Sequence, residues 1–148
     1  MIKFASAHLW VHDQSEALAF YVDKIGMEVR TDVTVPEMGD FRWLTVGPVD
    51  QPDISIVLMA VTSPPMPDAA AVERILDVVG TGQANGVFLT TDDVHAEHAR
   101  LTELGVEFID PPTEQFYGID AGFRDPSGNH IRLTQPFAES EWGARRSG

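Results

Sequence analysis

Two histidines and one arginine are the residues of this chain whose types and positions suit chemistry. His130 and Arg132 fall on the polar face of a strand predicted over residues 130–136, in which they alternate with the apolar Ile131 and Leu133. His8 falls on the polar face of a strand predicted over residues 4–11. An imidazole titrates near neutral pH, so His8 and His130 are the candidate catalytic acids or bases.

Arg132 has two interpretations. A guanidinium can anchor a ligand through a carboxylate, phosphate or carbonyl oxygen, for which its fork of N–H donors is well shaped. Alternatively, it forms an internal salt bridge, with Asp120 or Glu107 as candidate partners, because a buried arginine needs an acceptor. The sequence leaves both interpretations open.

Large aromatic side chains are predicted on the strand faces opposite the leucines. Such a face suits a planar or bulky organic ligand, although the same rings can instead fill an interior or bury against a second chain. Together with His130 and Arg132, the candidate ligand-binding residues are Trp10, Phe41, Trp43, Phe88, Tyr117 and Phe123.

A β-hairpin over residues 118–136 positions the last of these residues. Residues 125–128 read Asp-Pro-Ser-Gly, with proline at the second position of a type I turn and glycine at the fourth. The residues that follow the turn alternate between polar and apolar, as expected for the returning strand.

Two helices have matching start and stop signals. Asp13 and Asp92, or its neighbour Asp93, are predicted N-caps, and Gly26 and Gly105 follow at the same interval. Each helix is preceded by one strand and followed by about three, which indicates a duplicated βαβββ module.

The chain is therefore predicted to be a single domain over residues 1–148 made of two modules. The first module covers residues 4–60 and the second 85–136, separated by a linker with a short helix over 61–84 and followed by a flexible tail over 137–148. Within these, residues 31–40 are predicted as a polar loop, 62–67 as a proline-rich linker and 68–79 as a helix. Pro111-Pro112 is predicted to end a strand over residues 106–109.

Composition excludes several functions. The chain has no cysteine, which rules out disulfides, thiolate zinc sites and cysteine nucleophiles. Its net charge of −13 opposes binding to nucleic acid. No apolar run is long enough to span a membrane and no signal peptide is evident, so a cytoplasmic protein that binds neither nucleic acid nor membrane is expected.

Several of these motifs carry a resemblance to a known family. The helix end Phe20-Tyr21, the Ile25-Gly26-Met27 junction and the Asp125-Pro-Ser-Gly-Asn129 turn, set in two βαβββ units, resemble the vicinal oxygen chelate superfamily over residues 4–136. This is the glyoxalase, bleomycin-resistance and extradiol-dioxygenase group. The resemblance implies an α+β fold in which paired modules form a curled, helix-backed mixed sheet, with a ligand in the resulting cup, and a homodimer.

The enzymes of that family hold a divalent metal through His, Glu or Gln. The resemblance places those positions on Ser6, Val57, Gly86 and Arg132 of this chain, none of which is a usual metal ligand. No metal or other cofactor is therefore expected. A shifted site built from His8 and His130 with Asp120 or Glu114 is the alternative.

Three functions follow as expectations. The first is metal-independent binding of a small organic molecule, such as an antibiotic-like compound. The second is a metal-dependent lyase, isomerase or dioxygenase with a rearranged site, or a metal-free acid–base version of it. The third is a partner-binding domain whose cup is filled.

Overall fold

The structure, a computed structural model, describes residues 1–62 and 68–148. It contains two four-stranded sheets, each in its own compact unit. Within the described residues, the first unit extends from Met1 to Asn85 and includes Pro126–Asn129. The second unit comprises Gly86–Asp125 and His130–Gly148.

The first unit has the predicted βαβββ order followed by one more helix. Its sheet has the strand order β1-β4-β3-β2, with β1 parallel to β4 and the other pairs antiparallel. The elements are β1 (Ser6–Val11), α1 (Gln14–Ala19), a π-helical segment (Phe20–Ile25), β2 (Glu28–Val35), a 3-10 turn (Pro36–Met38), β3 (Phe41–Gly47), β4 (Ser55–Ala60) and α2 (Ala69–Gly80).

The second unit repeats the βαβββ order and adds a C-terminal helix. Its sheet has the order β5-β8-β7-β6, with β5 parallel to β8 and the other pairs antiparallel. The elements are β5 (Gly86–Thr90), α3 (Val94–Glu103), β6 (Phe108–Gln115), β7 (Gly118–Arg124), β8 (His130–Pro136), a 3-10 turn (Glu139–Glu141) and α4 (Trp142–Arg146). The α+β fold with mixed sheets backed by helices is thus confirmed.

The helix signals in the sequence are also confirmed. Asp13, Asp68 and Asp93 each accept a hydrogen bond from the backbone N–H three residues ahead, at 2.7–2.9 Å. Gly26 and Gly105 have φ angles of 95° and 89°, a left-handed conformation that glycine adopts without strain.

One polar segment was wrongly predicted as a loop. In residues 31–40, strand β2 continues to Val35 before the 3-10 turn begins. Thr31, Val33 and Val35 alternate with polar residues, so the period of a strand was present. The polar composition of the segment outweighed that period in the prediction.

Pro111 and Pro112 do not end their strand, contrary to the prediction. Strand β6 continues through them to Gln115, and its register against β7 shifts on both sides of Asp110. Because β6 lies at the edge of its sheet, a proline there can lack an N–H donor without leaving a neighbouring strand unpaired.

The C-terminal residues that were predicted as a flexible tail contain a 3-10 turn and a short helix. Trp142 donates a hydrogen bond to the carbonyl of Phe137 at 3.3 Å and packs edge-on against Phe116. The guanidinium of Arg145 lies 3.5 Å from the centre of the Phe137 ring. The linker predicted over 62–67 lies outside the described residues, apart from Thr62.

Each sheet buries one face against its own helices. In the first unit these buried residues include Leu9, Val11, Leu44, Val46 and Leu58. In the second they include Ala121, Phe123, Ile131 and Leu133, beside Val94 and Leu101 of α3. None of the helices in the two described ranges has the length and apolar character to cross a membrane.

Candidate functional site

The first sheet has one face on the side away from its helices, and this face is buried at Thr45 and Val57 and exposed at His8 and Trp43. Strand register places His8 beside Val57, Val57 beside Thr45, and Thr45 beside Thr31. Side chains at paired positions point to the same side of a sheet, so these four residues share one face. We call it the first face.

The aromatic candidates of the first unit lie on this face, as alternation predicts. Trp10 is two residues from His8, while Phe41 and Trp43 continue the alternation from Thr45. The rings of Phe41 and Trp43 are 6.5 Å apart, and those of His8 and Trp10 meet edge-on at 4.7 Å. Trp43 is 38% exposed and Val33, its partner on β2, is 51% exposed.

Gln14, the first residue of α1, separates two strands of this sheet. The ladder between β3 and β4 consists of two residue pairs and stops at Thr45 and Val57. Beyond that point the Gln14 side chain donates to the carbonyls of Arg42 and Leu58, at 3.0 and 2.8 Å. The Arg42 carbonyl precedes Trp43 on β3, and the Leu58 carbonyl follows Val57 on β4. One side-chain amide therefore provides hydrogen bonds to the backbones of both strands where they separate.

The turn residues 126–129 belong to the first unit and hold the end of β1. The buried Asn129 donates from Nδ2 to the carbonyl of Trp10 at 2.8 Å. The Ser127 hydroxyl accepts from the N–H of His12 at 2.9 Å. Gly128 has a φ of 98° and lies so close to the Val79 and Gly80 carbonyls that a side chain would collide with them. In this turn, the motif that carries the family resemblance therefore has a structural role, because its side chains hold the backbone at the end of β1.

The second sheet also has an open face, with different chemistry. Register places Arg132 between Phe88 on β5 and Gly122 on β7, and Asp110 follows on β6. We call this the second face. The Arg132 guanidinium donates to Asp120 at 2.5 Å and to Asp110 at 2.6 Å. The structure thus contains an internal salt bridge of Arg132, with the expected Asp120 as one of its two partners.

Asp120 is the buried member of this cluster. Besides Arg132, it accepts hydrogen bonds from the hydroxyls of Thr134 and Tyr117, each at 2.9 Å. Burial by itself would raise the pKa of Asp120, but the three donors outweigh it and leave the pKa below its usual value. Burial and the hydrogen bond to Asp120 raise the pKa of Tyr117. Asp120 is therefore a carboxylate and Tyr117 a phenol at neutral pH.

Gly122 makes this cluster possible. A Cβ at Gly122 would collide with Nη1 of Arg132 and lie 3.0 Å from Oδ2 of Asp110. The guanidinium therefore lies flat over backbone that has no side chain. Neither Gly122 nor Asp110 was predicted as part of a site; the i, i+2 spacing of Gly122 from Asp120 was the available signal.

One aromatic residue was assigned to the wrong face. Phe123 is paired with Ile131, is fully buried, and packs against Phe108 on the helix-backed side. Alternation along the strand places it opposite Arg132, and the error came from grouping residues across strands without their register. His130 lies beside Gly86 on the second face, where Phe88 is 80% exposed.

The four positions that the resemblance assigns to metal ligands are divided between the two sheets. Ser6 and Val57 lie on the first sheet, whereas Gly86 and Arg132 lie on the second. Their side chains supply one hydroxyl, no imidazole and no carboxylate, which does not fit a divalent cation. Throughout residues 1–62 and 68–148, no three His, Asp or Glu side chains are grouped as metal ligands.

Comparisons with known proteins extend over most of the chain. The sequence profile described as Glyoxalase/Bleomycin resistance protein/Dioxygenase superfamily matches residues 3–133. An uncharacterized protein of Shewanella frigidimarina is 35% identical over 130 residues, which is 86% of this chain and 88% of that protein.

Two solved structures with 36% identity are similar throughout. The crystal structure of UcmS2 has a TM-score of 0.83 and covers 91% of this chain and 98% of its own. The crystal structure of TnmS3, an antibiotic binding protein from Streptomyces sp. CB03234, has a TM-score of 0.70 and covers 92% and 98%.

Proposed function

Because this chain belongs to the Glyoxalase/Bleomycin resistance protein/Dioxygenase superfamily, we propose that it binds a small, planar organic molecule on the first face. The observation that carries the proposal is the exposure of Trp43 and Val33 on a face that also carries Trp10 and Phe41 and that the unit's own helices leave uncovered.

The energetic argument rests on aromatic burial. Covering apolar surface contributes about 25 cal/mol for each Å², and ring stacking adds about 0.5–1.5 kcal/mol for each aromatic pair. A flat ligand that covers two tryptophans and a phenylalanine gains both terms. Gln14 and Asn129 hold the strands that carry Trp43 and Trp10, so the rings are placed before the ligand arrives.

The relatives favour an antibiotic-like ligand. TnmS3 is described as an antibiotic binding protein and is 36% identical to this chain over 92% of its length. The proposed binding uses no metal, in keeping with the donor set at the family's metal positions. The prediction of a homodimeric, cytoplasmic protein remains a prediction.

Ligand titration of matched tryptophan variants tests the proposal. Hits from a thermal-shift screen of planar aromatic antibiotics would be titrated by calorimetry against the wild type, Trp43→Ala and Trp142→Ala. Trp43→Ala is expected to weaken binding at least tenfold, whereas Trp142→Ala, which alters the C-terminal helix, leaves it unchanged. Equal affinity of Trp43→Ala and the wild type would contradict the proposal.

Two further measurements separate the alternatives. Light scattering would show whether Trp43→Ala changes the molar mass; if it does, the first face is covered by a second copy rather than a ligand. Elemental analysis of protein purified without added metal tests the lyase, isomerase or dioxygenase alternative. A stoichiometric transition metal would favour that enzyme over the binding protein.

A further inference from the structure

The first face changes character along its strands. One end is aromatic and apolar, and the other carries hydroxyls and an imidazole. The aromatic end comprises Trp10, Val33, Val35, Phe41, Trp43 and Met59. The polar end comprises Ser6, His8, Thr31, Thr45 and Ser55. The two ends meet where Gln14 separates β3 from β4.

Thr45 lies at the centre of the polar end. It is paired with Thr31 on one side and Val57 on the other, and it is 4% exposed. Among the described residues, no side-chain hydrogen bond involves its hydroxyl. A hydroxyl without a protein partner, beside the exposed aromatic end, is a ready partner for one polar atom of a ligand.

Arg30 is the charged residue at the polar end, and its charge is already paired. Its side chain lies over Gly47, the first-face residue of β3 after Thr45, where a Cβ would be 2.8 Å from Nε. Its guanidinium pairs with Glu28 and donates to the carbonyl of Pro48 at 2.6 Å. The other residues named at the two ends carry no carboxylate, ammonium or guanidinium group.

We infer that the ligand of the first face is an uncharged planar aromatic molecule with a carbonyl or hydroxyl group at one end. This inference rests on the proposed function and specifies its ligand. A charged group placed on the face would lose water without gaining a free ionic partner, because Arg30 is already paired with Glu28. The net charge of −13 further disfavours anions at long range.

Three tricyclic probes of one shape test the charge. Acridone is neutral, 9-aminoacridine is a cation and acridine-9-carboxylate is an anion at pH 8. Fluorescence anisotropy in 0.15 M NaCl is expected to show acridone binding at least tenfold more tightly than either ion. Equal or tighter binding of 9-aminoacridine or the carboxylate would overturn the inference. If none of the three binds, the proposed function itself is contradicted.

A threonine pair tests the polar contact. Acridine, which lacks the carbonyl and is neutral at pH 8, is expected to bind the wild type several-fold more weakly than acridone. Thr45→Val should abolish that preference, because valine keeps the shape and removes the hydroxyl. Thr34→Val, on the opposite face of β2, should retain it. A preference that survives Thr45→Val would overturn the assignment of the polar end.

Discussion

The two open faces of this molecule arise from the same βαβββ order and yet differ in chemistry. On the first face, Trp43 and Val33 are exposed at the aromatic end, and the one charged side chain described there, Arg30, is paired with Glu28. On the second face, Arg132 is held between Asp110 and Asp120, so its charge is already neutralised by the protein. An arginine on a sheet face is therefore a poor guide to ligand charge until its partners are known.

The difference also indicates separate roles, with the second face contributing to stability and the first to binding. Asp120 is buried and its oxygens accept from three side chains, which makes the second face a rigid, satisfied network. The aromatic end of the first face exposes apolar surface, which costs free energy unless something covers it. We therefore expect changes on the second face to alter unfolding and changes on the first to alter binding.

Replacing Arg132 by methionine should have the largest effect. The change leaves the Asp120 carboxylate buried without its cation, which we expect to lower the free energy of unfolding by about 3 kcal/mol at pH 7. Arg124→Met, an exposed arginine of the same face, should change it by less than about 0.5 kcal/mol. Urea unfolding measures both. If Arg132→Met leaves stability unchanged but abolishes ligand affinity, the second face contributes to binding rather than to stability.

The pH dependence of stability should show the next largest effect. The pKa of Asp120 is lower in the folded protein than the value of about 3.9 in an unfolded chain, so its contribution is complete above that value and lost as pH falls below it. Asp120→Asn lacks this contribution, and its deficit relative to the wild type should shrink between pH 5 and pH 2.

Asp32 provides the control for this measurement. A hydrogen bond from Arg42 lowers the pKa of Asp32, but its side chain is 36% exposed and water and salt screen the pair. The deficit of Asp32→Asn should be small and should disappear in 1 M NaCl. Parallel pH curves for the wild type and Asp120→Asn would show that the network does not depend on that charge.

Replacing Phe88 by serine should have the smallest effect. Phe88 is 80% exposed on the second face, so the free energy of unfolding should change by less than about 0.5 kcal/mol. Ligand affinity should also stay within twofold of the wild type, in contrast to Trp43→Ala. Calorimetric titration decides the point. A tenfold loss in Phe88→Ser would mean that the second face contributes to binding after all.

Local signals in the sequence were sufficient for most of the fold. The capping aspartates Asp13, Asp68 and Asp93 and the hairpin turn act within a few residues, so their types specify their geometry. The polar segment before Val35 and the strand through Pro111 were misjudged. The polar or proline-containing composition of these segments argues against a strand, whereas pairing with a neighbouring strand makes each of them one. That pairing cannot be inferred from the segment alone.

The site was less predictable because register and partner choice act over long distances in the chain. Trp10 and Trp43 were predicted on the first face from the two-residue alternation within each strand, which requires no knowledge of the neighbouring strands. Arg132 finds Asp110 rather than Glu107, and this choice depends on the shifts of register in β6. Gln14 directly follows the predicted N-cap Asp13, and nothing local shows that its amide reaches two strands.

Strand β6 has a consequence for the behaviour of the protein in concentrated solution. A strand at the margin of a sheet exposes N–H and C=O groups to which a strand of another molecule can add, a common start of aggregation. In β6, Pro111 and Pro112 have no N–H to donate, and the shifts of register interrupt the strand around them. The prolines thus make this margin a poor template for intermolecular strand addition.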